Sequence, residues 1–430
     1  MSQPSTPVLS VHPIRALVDE TFRVVVENLP PVSPVTLHSL HFSEDKDCWE
    51  AYGHYMSDSR GTVNVSEDLS FGGTYTGQEP MGLLWSMQTQ SGSRPGLRLR
   101  KMDVTSPMLV HILVYSGHIK KGFRKQPPLA SVLTERWYMA PGVQRIEIKE
   151  RGVRGTLFIP SGPGPFPGLL DVWGGGGRVL EYRSALLASH GYVSLALDYY
   201  PTLMLKTADL QLQYFETAFD IIKDHPQVIP DDVGIFGNSL GTVLALHIAA
   251  ESTKAKPRCC VGVNGHHLHS AGTTLNQVLQ FEKERRSMLR FDENNCQISR
   301  FMRLPIPSDP SEKMAVQKIK CPVLLVNGDD DQHLPTVEAT EDMAQMMQTG
   351  GNLHLLSTPT YPNTGHLIEP PYSPHFRATN FIVPDTKQKA TMLWGGQPKP
   401  HSDAQEDSWK KILAFLRHHL YSDTAAKARM

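Results

Sequence analysis

The alternation of apolar runs with helix-length segments after residue 145 limits the possible folds of this chain most strongly. Uninterrupted apolar runs are separated by segments with the length and period of amphipathic helices, and the runs are residues 168–173, 192–199, 233–237, 259–265 and 323–328. A strand that is apolar along its whole length has to be buried on both faces, and the intervening helices supply that cover. The sequence therefore predicts a mainly parallel sheet with helices on both sides.

The first 145 residues follow a different period. Segments such as 21–29 and 35–42 place apolar residues at alternate positions, between turns rich in Pro and Gly. Short strands at this spacing are typical of an immunoglobulin-like β-sandwich. A chain of 430 residues also exceeds what one hydrophobic core usually supports. We therefore predict a β-sandwich over residues 1–145, an α/β domain over 146–421 and a flexible tail over 422–430.

One interval, residues 266–320, contains no clear strand and carries a charged run. A stretch of this length inside a compact domain is either a cap over a binding site or a long loop. The pattern does not distinguish these two possibilities.

Composition and short motifs exclude several functions. The 42 Lys and Arg residues balance 43 Asp and Glu residues, whereas a nucleic-acid-binding protein normally has a basic excess. No apolar run approaches the roughly 18 residues of a membrane-spanning helix. Neither a Rossmann glycine fingerprint nor a P-loop occurs, so no nucleotide cofactor is expected. The histidine-rich segment 265–269 lacks a carboxylate at ligand spacing, and no metal is expected there.

The segment GNSLG, residues 237–241, fits the GxSxG pattern. The pattern alone is weak, but here it follows an apolar strand and opens a helical segment, as the nucleophile elbow of an α/β hydrolase does. Such a turn exposes the serine hydroxyl above the sheet, and side chains in place of the two glycines would collide with the neighbouring strand and helix. We predict that Ser239 is a catalytic nucleophile. The alternative is a tight strand-to-helix turn with an incidental serine.

A serine hydroxyl needs a base to take its proton and an acid to orient that base. In α/β hydrolases the acid and then the histidine follow the nucleophile in chain order. Asp331, three residues after the run 323–328, is the preferred acid, but the adjacent Asp329 and Asp330 leave that choice open. His366, in the turn sequence YPNTGHLIEPPYSP, is the candidate base.

The oxyanion formed during acyl transfer needs hydrogen-bond donors that are already in place. The backbone N–H of Leu240, directly after the nucleophile, is one candidate. The other is the four-glycine loop after the run 168–173, where we expect Gly174 and Gly175 to contribute. The alternative for this loop is simple flexibility.

Longer strings resemble the acyl-CoA thioesterase and bile acid-CoA:amino acid N-acyltransferase family. GQEPMGLLWSM resembles a signature of that family's N-terminal domain, and GNSLG resembles its elbow. Residues 163–192 resemble its oxyanion region, and GHLIEPPYSP and WGGQPKPHSDAQEDSWKKILAFL its C-terminal part. The resemblance implies an N-terminal β-sandwich, a C-terminal α/β-hydrolase domain, and a triad carried here by Ser239, Asp331 and His366.

Members of the family hydrolyse acyl-CoA thioesters or transfer the acyl group to glycine or taurine. The transferases carry Cys at the elbow, whereas this chain has Ser239. Because a serine acyl-enzyme is an oxygen ester, suited to attack by water, we expect an acyl-CoA thioesterase with acyl-CoA as its substrate. The alternatives are N-acyl transfer, a non-catalytic hydrolase-like binding protein and a generic carboxylesterase. The sequence does not predict acyl chain length.

The sequence ends in Ala428-Arg429-Met430, which has the small–basic–apolar character of the peroxisomal address S-K-L. The start of the chain lacks the basic and apolar regions of a secretory signal. We therefore expect a peroxisomal import receptor as a partner and the peroxisome as the location. The alternative is a frayed tail on a cytosolic protein.

Overall fold

A computed structural model of the chain describes residues 6–90, 92–174, 179–199, 212–269, 280–281, 283–382 and 388–421. The chain divides into two compact units. The first comprises Met1–Tyr138 and Glu369–His375, and the second comprises Met139–Ile368 and Phe376–Met430. The two units divide after Tyr138, before the expected boundary at residue 145. The reason is that the strand Gln144–Glu150 pairs along its whole length with Val153–Ile159 in the large sheet of the second unit.

The first unit consists mainly of short strands. They are β1 Val8–His12, β2 Arg15–Leu17, β3 Arg23–Glu27, β4 Pro34–Phe42, β5 Cys48–Met56, β6 Val63–Asn64, β7 Gln88–Thr89, β8 Met108–Ser116 and β9 Ala130–Trp137, with a short helix α1 at Gly82–Trp85. Within the described residues they form a sheet of order β1-β3-β6 and a sheet of order β2-β9-β8-β4-β5-β7. Val24 and Val26 on β3 are fully buried, as their alternation predicted. This unit is the expected β-sandwich.

The second unit alternates strands with helices. Its strands are β10 Gln144–Glu150, β11 Val153–Ile159, β12 Phe166–Val172, β13 Val193–Leu197, β14 Val228–Asn238, β15 Cys260–Val263, β16 Arg290–Phe291, β17 Gln297–Ile298, β18 Val323–Gly328, β19 Leu356–Ser357, β20 Thr360–Tyr361, β21 Ala378–Ile382 and β22 Lys389–Leu393. Its helices are α2 Tyr182–Ser189, α3 Leu212–Lys223, α4 Leu240–Glu251, α5 Thr336–Thr349 and α6 Pro398–Leu420. Short 3-10 turns lie at Phe123–Lys125 in the first unit and, in the second, at Arg286–Met288, Arg300–Arg303, Pro310–Glu312, Val316–Lys318 and Leu353–Leu355.

The large sheet has the order β10-β11-β13-β12-β14-β15-β18-β19, and β20 also pairs with β18. The pairs from β13–β12 onward are parallel, whereas β10–β11 and β11–β13 at one edge are antiparallel. β12 and β18 are buried at every residue, as continuous apolar runs predict. The amphipathic helix α3 packs Phe215, Phe219 and Ile222 into the same core. This is the mainly parallel, helix-covered sheet of an α/β hydrolase.

The described part of the interval 266–320 contains 3-10 turns and the two-residue strands β16 and β17. These strands join β21 and β22 in a four-stranded sheet of order β16-β17-β22-β21. The sequence did not predict β16 and β17, because a two-residue strand has no readable alternation. None of the helices in the described ranges is long and apolar enough to cross a membrane.

Candidate active site

Ser239 forms the turn between β14 and α4, with φ of 55° and ψ of −120°. A positive φ is unfavourable for a residue with a Cβ atom and persists only where the surroundings enforce it. Here the Ser239 N–H donates to the Val263 carbonyl at 2.8 Å, and the Ser239 carbonyl accepts from the Thr242 N–H at 2.9 Å. The structure therefore contains the strained elbow that the GNSLG segment predicted.

Both glycines of the elbow allow close backbone approach. A Cβ atom on Gly237 would lie 2.3 Å from the Gly241 carbonyl oxygen, and one on Gly241 would lie 1.8 Å from the Val172 carbonyl oxygen. The first turn of α4 thus packs directly against the end of β12. A Cβ atom on Gly174 would lie 2.9 Å from the Ser239 Cβ, so this loop residue is beside Ser239. Ser239 is consequently buried rather than exposed above the sheet.

His366 lies between Ser239 and Asp331. Its Nε2 atom is 2.9 Å from the Ser239 Oγ, and its Nδ1 atom is 2.6 Å from the Asp331 Oδ2. The His366 N–H donates to the Trp394 carbonyl at 2.9 Å, and the imidazole stacks on the Trp394 indole. The three residues named from the sequence are therefore brought together in the order that proton transfer from a serine requires.

The carboxylate of Asp331 is buried, with 1% of the residue exposed. Its Oδ1 atom accepts hydrogen bonds from the N–H groups of His333 and Leu334, each at 2.8 Å. Its other oxygen faces His366. Because the two backbone donors fix one oxygen, the other is held in a single direction.

The neighbouring aspartates have other contacts. Asp330 accepts from the Gly396 N–H at 2.7 Å and from Gln332 at 2.6 Å, so it fixes the loop after β22. Asp329 is exposed. Of the three candidate acids, Asp331 is the one whose carboxylate contacts His366.

Two further histidines lie around His366. The His333 ring meets the His366 ring edge-on, with centroids 4.7 Å apart. Burial lowers the pKa of both His333 and His266 well below the usual value, and nearby cationic groups, Arg303 among them, lower it further. These imidazoles are therefore neutral at pH 7 and place no additional positive charge beside His366. His333 was not among the candidate site residues named from the sequence, although it lies two residues from Asp331.

A buried cation contacts the end of the strand that leads into the loop expected to form the oxyanion site. The Arg183 guanidinium pairs with Asp171 on β12 and lies between the rings of Trp173 and Phe236, 4.3 and 4.0 Å from their centroids. Tyr199 donates a hydrogen bond to the Trp173 carbonyl. These contacts fix the backbone that leads into Gly174. Leu240 opens α4 directly after Ser239, whereas Gly175 lies outside the described residues.

His267, in the histidine-rich segment, has an ordinary structural role. His267 contacts the Asp342 carboxylate at 2.6 Å, and Lys313 contacts the same carboxylate at 2.9 Å. Burial lowers the pKa of His267 to about 4, against the opposing effect of Asp342. Over the described part of the chain, no group of three or more His, Cys, Asp or Glu side chains is arranged to hold a metal ion.

Comparison with known proteins gives matches to two family descriptions. Residues 19–150 match "Acyl-CoA thioester hydrolase/BAAT N-terminal region", and residues 210–422 match "BAAT / Acyl-CoA thioester hydrolase C terminal". The chain is 35% identical to the peroxisomal succinyl-coenzyme A thioesterase of Mus musculus, over 96% of this chain and 97% of that protein. It is also 35% identical to the bile acid-CoA:amino acid N-acyltransferase of Mus musculus, over 97% of this chain and 99% of that protein.

Among solved structures, a putative dienelactone hydrolase from Klebsiella pneumoniae matches with a TM-score of 0.40 and 17% identity. That match covers 64% of this chain and 97% of the other.

Proposed function

The chain belongs to the acyl-CoA thioester hydrolase and bile acid-CoA:amino acid N-acyltransferase family, and on that premise we propose that it hydrolyses acyl-CoA thioesters through Ser239, His366 and Asp331. One observation supports this proposal most strongly. The Ser239 Oγ lies 2.9 Å from His366 Nε2, and His366 Nδ1 lies 2.6 Å from Asp331. This is the hydrogen-bonded arrangement that activates a serine for attack on an acyl carbon.

The reaction begins with the His366 Nδ1–H donating to Asp331, which leaves Nε2 free to accept the Ser239 proton. The Ser239 Oγ forms a bond to the thioester carbonyl carbon, and the proton moves to His366 Nε2. The resulting oxyanion accepts hydrogen bonds from the N–H of Leu240 and from the loop at Gly174 and Gly175. When the carbon–sulfur bond breaks, the CoA sulfur leaves with the proton from His366.

The second half of the reaction releases the acyl group. His366 Nε2 takes a proton from a water molecule, whose oxygen attacks the Ser239 ester carbon. The oxyanion is stabilised by the same donors. Breaking the bond to the Ser239 Oγ returns the proton to that oxygen and frees the carboxylic acid. The buried Asp331 stabilises the His366 cation in both halves, since a charged imidazole beside a fixed carboxylate is favoured.

Acyl transfer to glycine or taurine is the second candidate, because one relative with 35% identity is named for that reaction. An amine would then take the place of water in the second half-reaction. Ser239 favours hydrolysis, because the oxygen ester that it forms is less readily intercepted by an amine than the thioester that a cysteine would form.

The test measures free CoA and acyl products from short, medium, long, branched and dicarboxylic acyl-CoAs, with and without glycine or taurine. We expect CoA and free acid in equal amounts, and no amide. The Ser239→Ala variant should lose CoA release, whereas Ser161→Ala, which removes a hydroxyl from an exposed turn, should retain it. Full activity in Ser239→Ala would refute the mechanism, and amide as the main product would favour acyl transfer.

We also propose a peroxisomal location. The terminal tripeptide Ala428-Arg429-Met430 lies outside the described residues, and the support comes from its chemical type and from a relative whose name includes that organelle. A fluorescent protein fused ahead of the intact chain should colocalise with a peroxisomal marker and become diffuse when the last three residues are removed. Diffuse signal from the intact fusion would contradict this location.

A further inference from the structure

Asn264 has an unusual backbone conformation at the end of β15. Its φ is 46°, in the left-handed region, and 1% of the residue is exposed. A buried residue with a side chain in this region needs local compensation, and such residues cluster at functional sites. Asparagine tolerates the region better than most residues because its short amide can bond to nearby backbone.

The Asn264 side chain links two separate loops. Its Nδ2 group donates to the carbonyls of Gly365 at 3.2 Å and His366 at 2.8 Å, and its Oδ1 accepts from the Gly328 N–H at 2.8 Å. The first two groups belong to the loop that carries His366, and Gly328 ends the strand that leads to Asp331. One amide therefore joins the backbones of the acid and the base.

The backbone around Asn264 reaches the nucleophile as well. The Asn264 N–H donates to the Val326 carbonyl at 2.9 Å, and the preceding carbonyl, that of Val263, accepts from the Ser239 N–H at 2.8 Å. Two consecutive residues at the end of β15 thus contact the chain segments of all three proposed catalytic residues.

We infer that Asn264 is a positioning residue, which fixes the His366 imidazole relative to Asp331 and Ser239. This inference rests on the proposed function. The carbonyls of Gly365 and His366 need two donors, and the Gly328 N–H needs one acceptor. The planar amide of asparagine supplies all three on a short side chain. Aspartate would place oxygens against two carbonyls, and glycine would keep the backbone conformation but lose the side chain.

Removing the amide should leave the fold intact, because the His366 loop keeps other supports. The Thr364 carbonyl accepts from the Asp330 N–H at 3.0 Å, and the His366 N–H donates to Trp394 at 2.9 Å. What is lost is the set of hydrogen bonds from one amide to the carbonyls of Gly365 and His366 and to the Gly328 N–H. A displacement of about 1 Å at a reacting group costs on the order of 100-fold in rate.

The test compares Asn264→Gly and Asn264→Asp with a matched control, Asn295→Gly. Asn295 also has a positive φ, of 59°, but it is exposed. We expect kcat to fall about 100-fold in both Asn264 variants with KM within about threefold of wild type, and no change in the control. Phosphonylation of Ser239 by a small fluorophosphonate should slow in parallel. If Asn264→Gly fails to fold, Asn264→Asp carries the test alone.

A folded Asn264→Gly or Asn264→Asp protein with kcat and phosphonylation rate within about twofold of wild type would overturn the inference, and so would a change confined to KM. The phosphonylation arm does not use a thioester. A wild-type protein that is phosphonylated at Ser239 yet releases no CoA would contradict the proposed function and leave the positioning role still measurable.

Discussion

Replacement of Asp331 by asparagine changes one atom and one charge, and the structure determines how the new amide must orient. One carboxylate oxygen accepts from the backbone N–H groups of His333 and Leu334 at 2.8 Å each. The NH2 of an asparagine cannot take that place, because donors would face donors. The amide oxygen therefore stays with the two backbone groups, and the NH2 faces His366 Nδ1.

That orientation forces the wrong tautomer on His366. With a donor facing Nδ1, this nitrogen accepts, and the ring proton moves to Nε2, where it points at the Ser239 Oγ. The imidazole then cannot take the serine proton. A tautomer change of this kind costs about 10⁴-fold in kcat, or about 5 kcal/mol of transition-state stabilisation. Stability should change little, because the volume and both backbone hydrogen bonds are retained.

The matched variant is Asp330→Asn. Asp330 accepts a hydrogen bond from the Gly396 N–H at 2.7 Å and does not contact His366. Its substitution should therefore lower the melting temperature slightly and reduce kcat by less than about tenfold. The assay follows CoA release with a thiol reagent at saturating acyl-CoA, with melting temperatures measured in parallel. An Asp331→Asn protein that keeps a tenth or more of wild-type kcat would refute the argument, as would a larger loss in Asp330→Asn.

Three further outcomes are expected. Gly241→Ala should lose most CoA release and a large part of the unfolding free energy measured in urea, because its Cβ would lie 1.8 Å from the Val172 carbonyl oxygen. Near-normal values of both would show that the elbow can shift freely. Ser239→Cys should form measurable amide from acyl-CoA at high glycine or taurine, and its absence would mean that access of the amine decides the outcome. The folded-state pKa of His267 is about 4, below the value of about 6.5 in the unfolded chain. As the pH falls between these two values, the free energy of unfolding of the wild type should therefore decrease by up to about 1.4 kcal/mol per pH unit more than that of His267→Gln. Equal slopes in urea titrations would exclude this linkage.

The sequence alone predicted the parts of the fold that depend on local patterns. The continuous apolar runs became buried strands such as β12, and the glycine-flanked Ser239 became a strained elbow, because both follow from burial and backbone sterics over a few residues. The short strands β16 and β17 were not predicted, since they pair with each other over two residues and the sheet is completed only where β17 pairs with the distant strand β22.

The site could be predicted in part. Ser239 and His366 are separated by 127 residues. The GNSLG motif made Ser239 a candidate, and chain order together with the family resemblance made His366 one. Spacing favoured Asp331 among the three adjacent aspartates but left the choice open, because it depends on which carboxylate the turn directs toward His366. Asn264 gave no sequence signal at all. It follows an apolar strand, and its role depends on three backbone groups from elsewhere in the chain.

The proposed mechanism requires that acyl groups pass through an ester on Ser239. The most direct measurement is rapid acid quench of the enzyme with an acyl-CoA, followed by intact-mass and peptide mass spectrometry. We predict a mass increase equal to the acyl group less one hydrogen, located on the peptide that contains Ser239, with no such adduct in Ser239→Ala. An acyl group on another residue, or CoA release by Ser239→Ala at the wild-type rate, would contradict it.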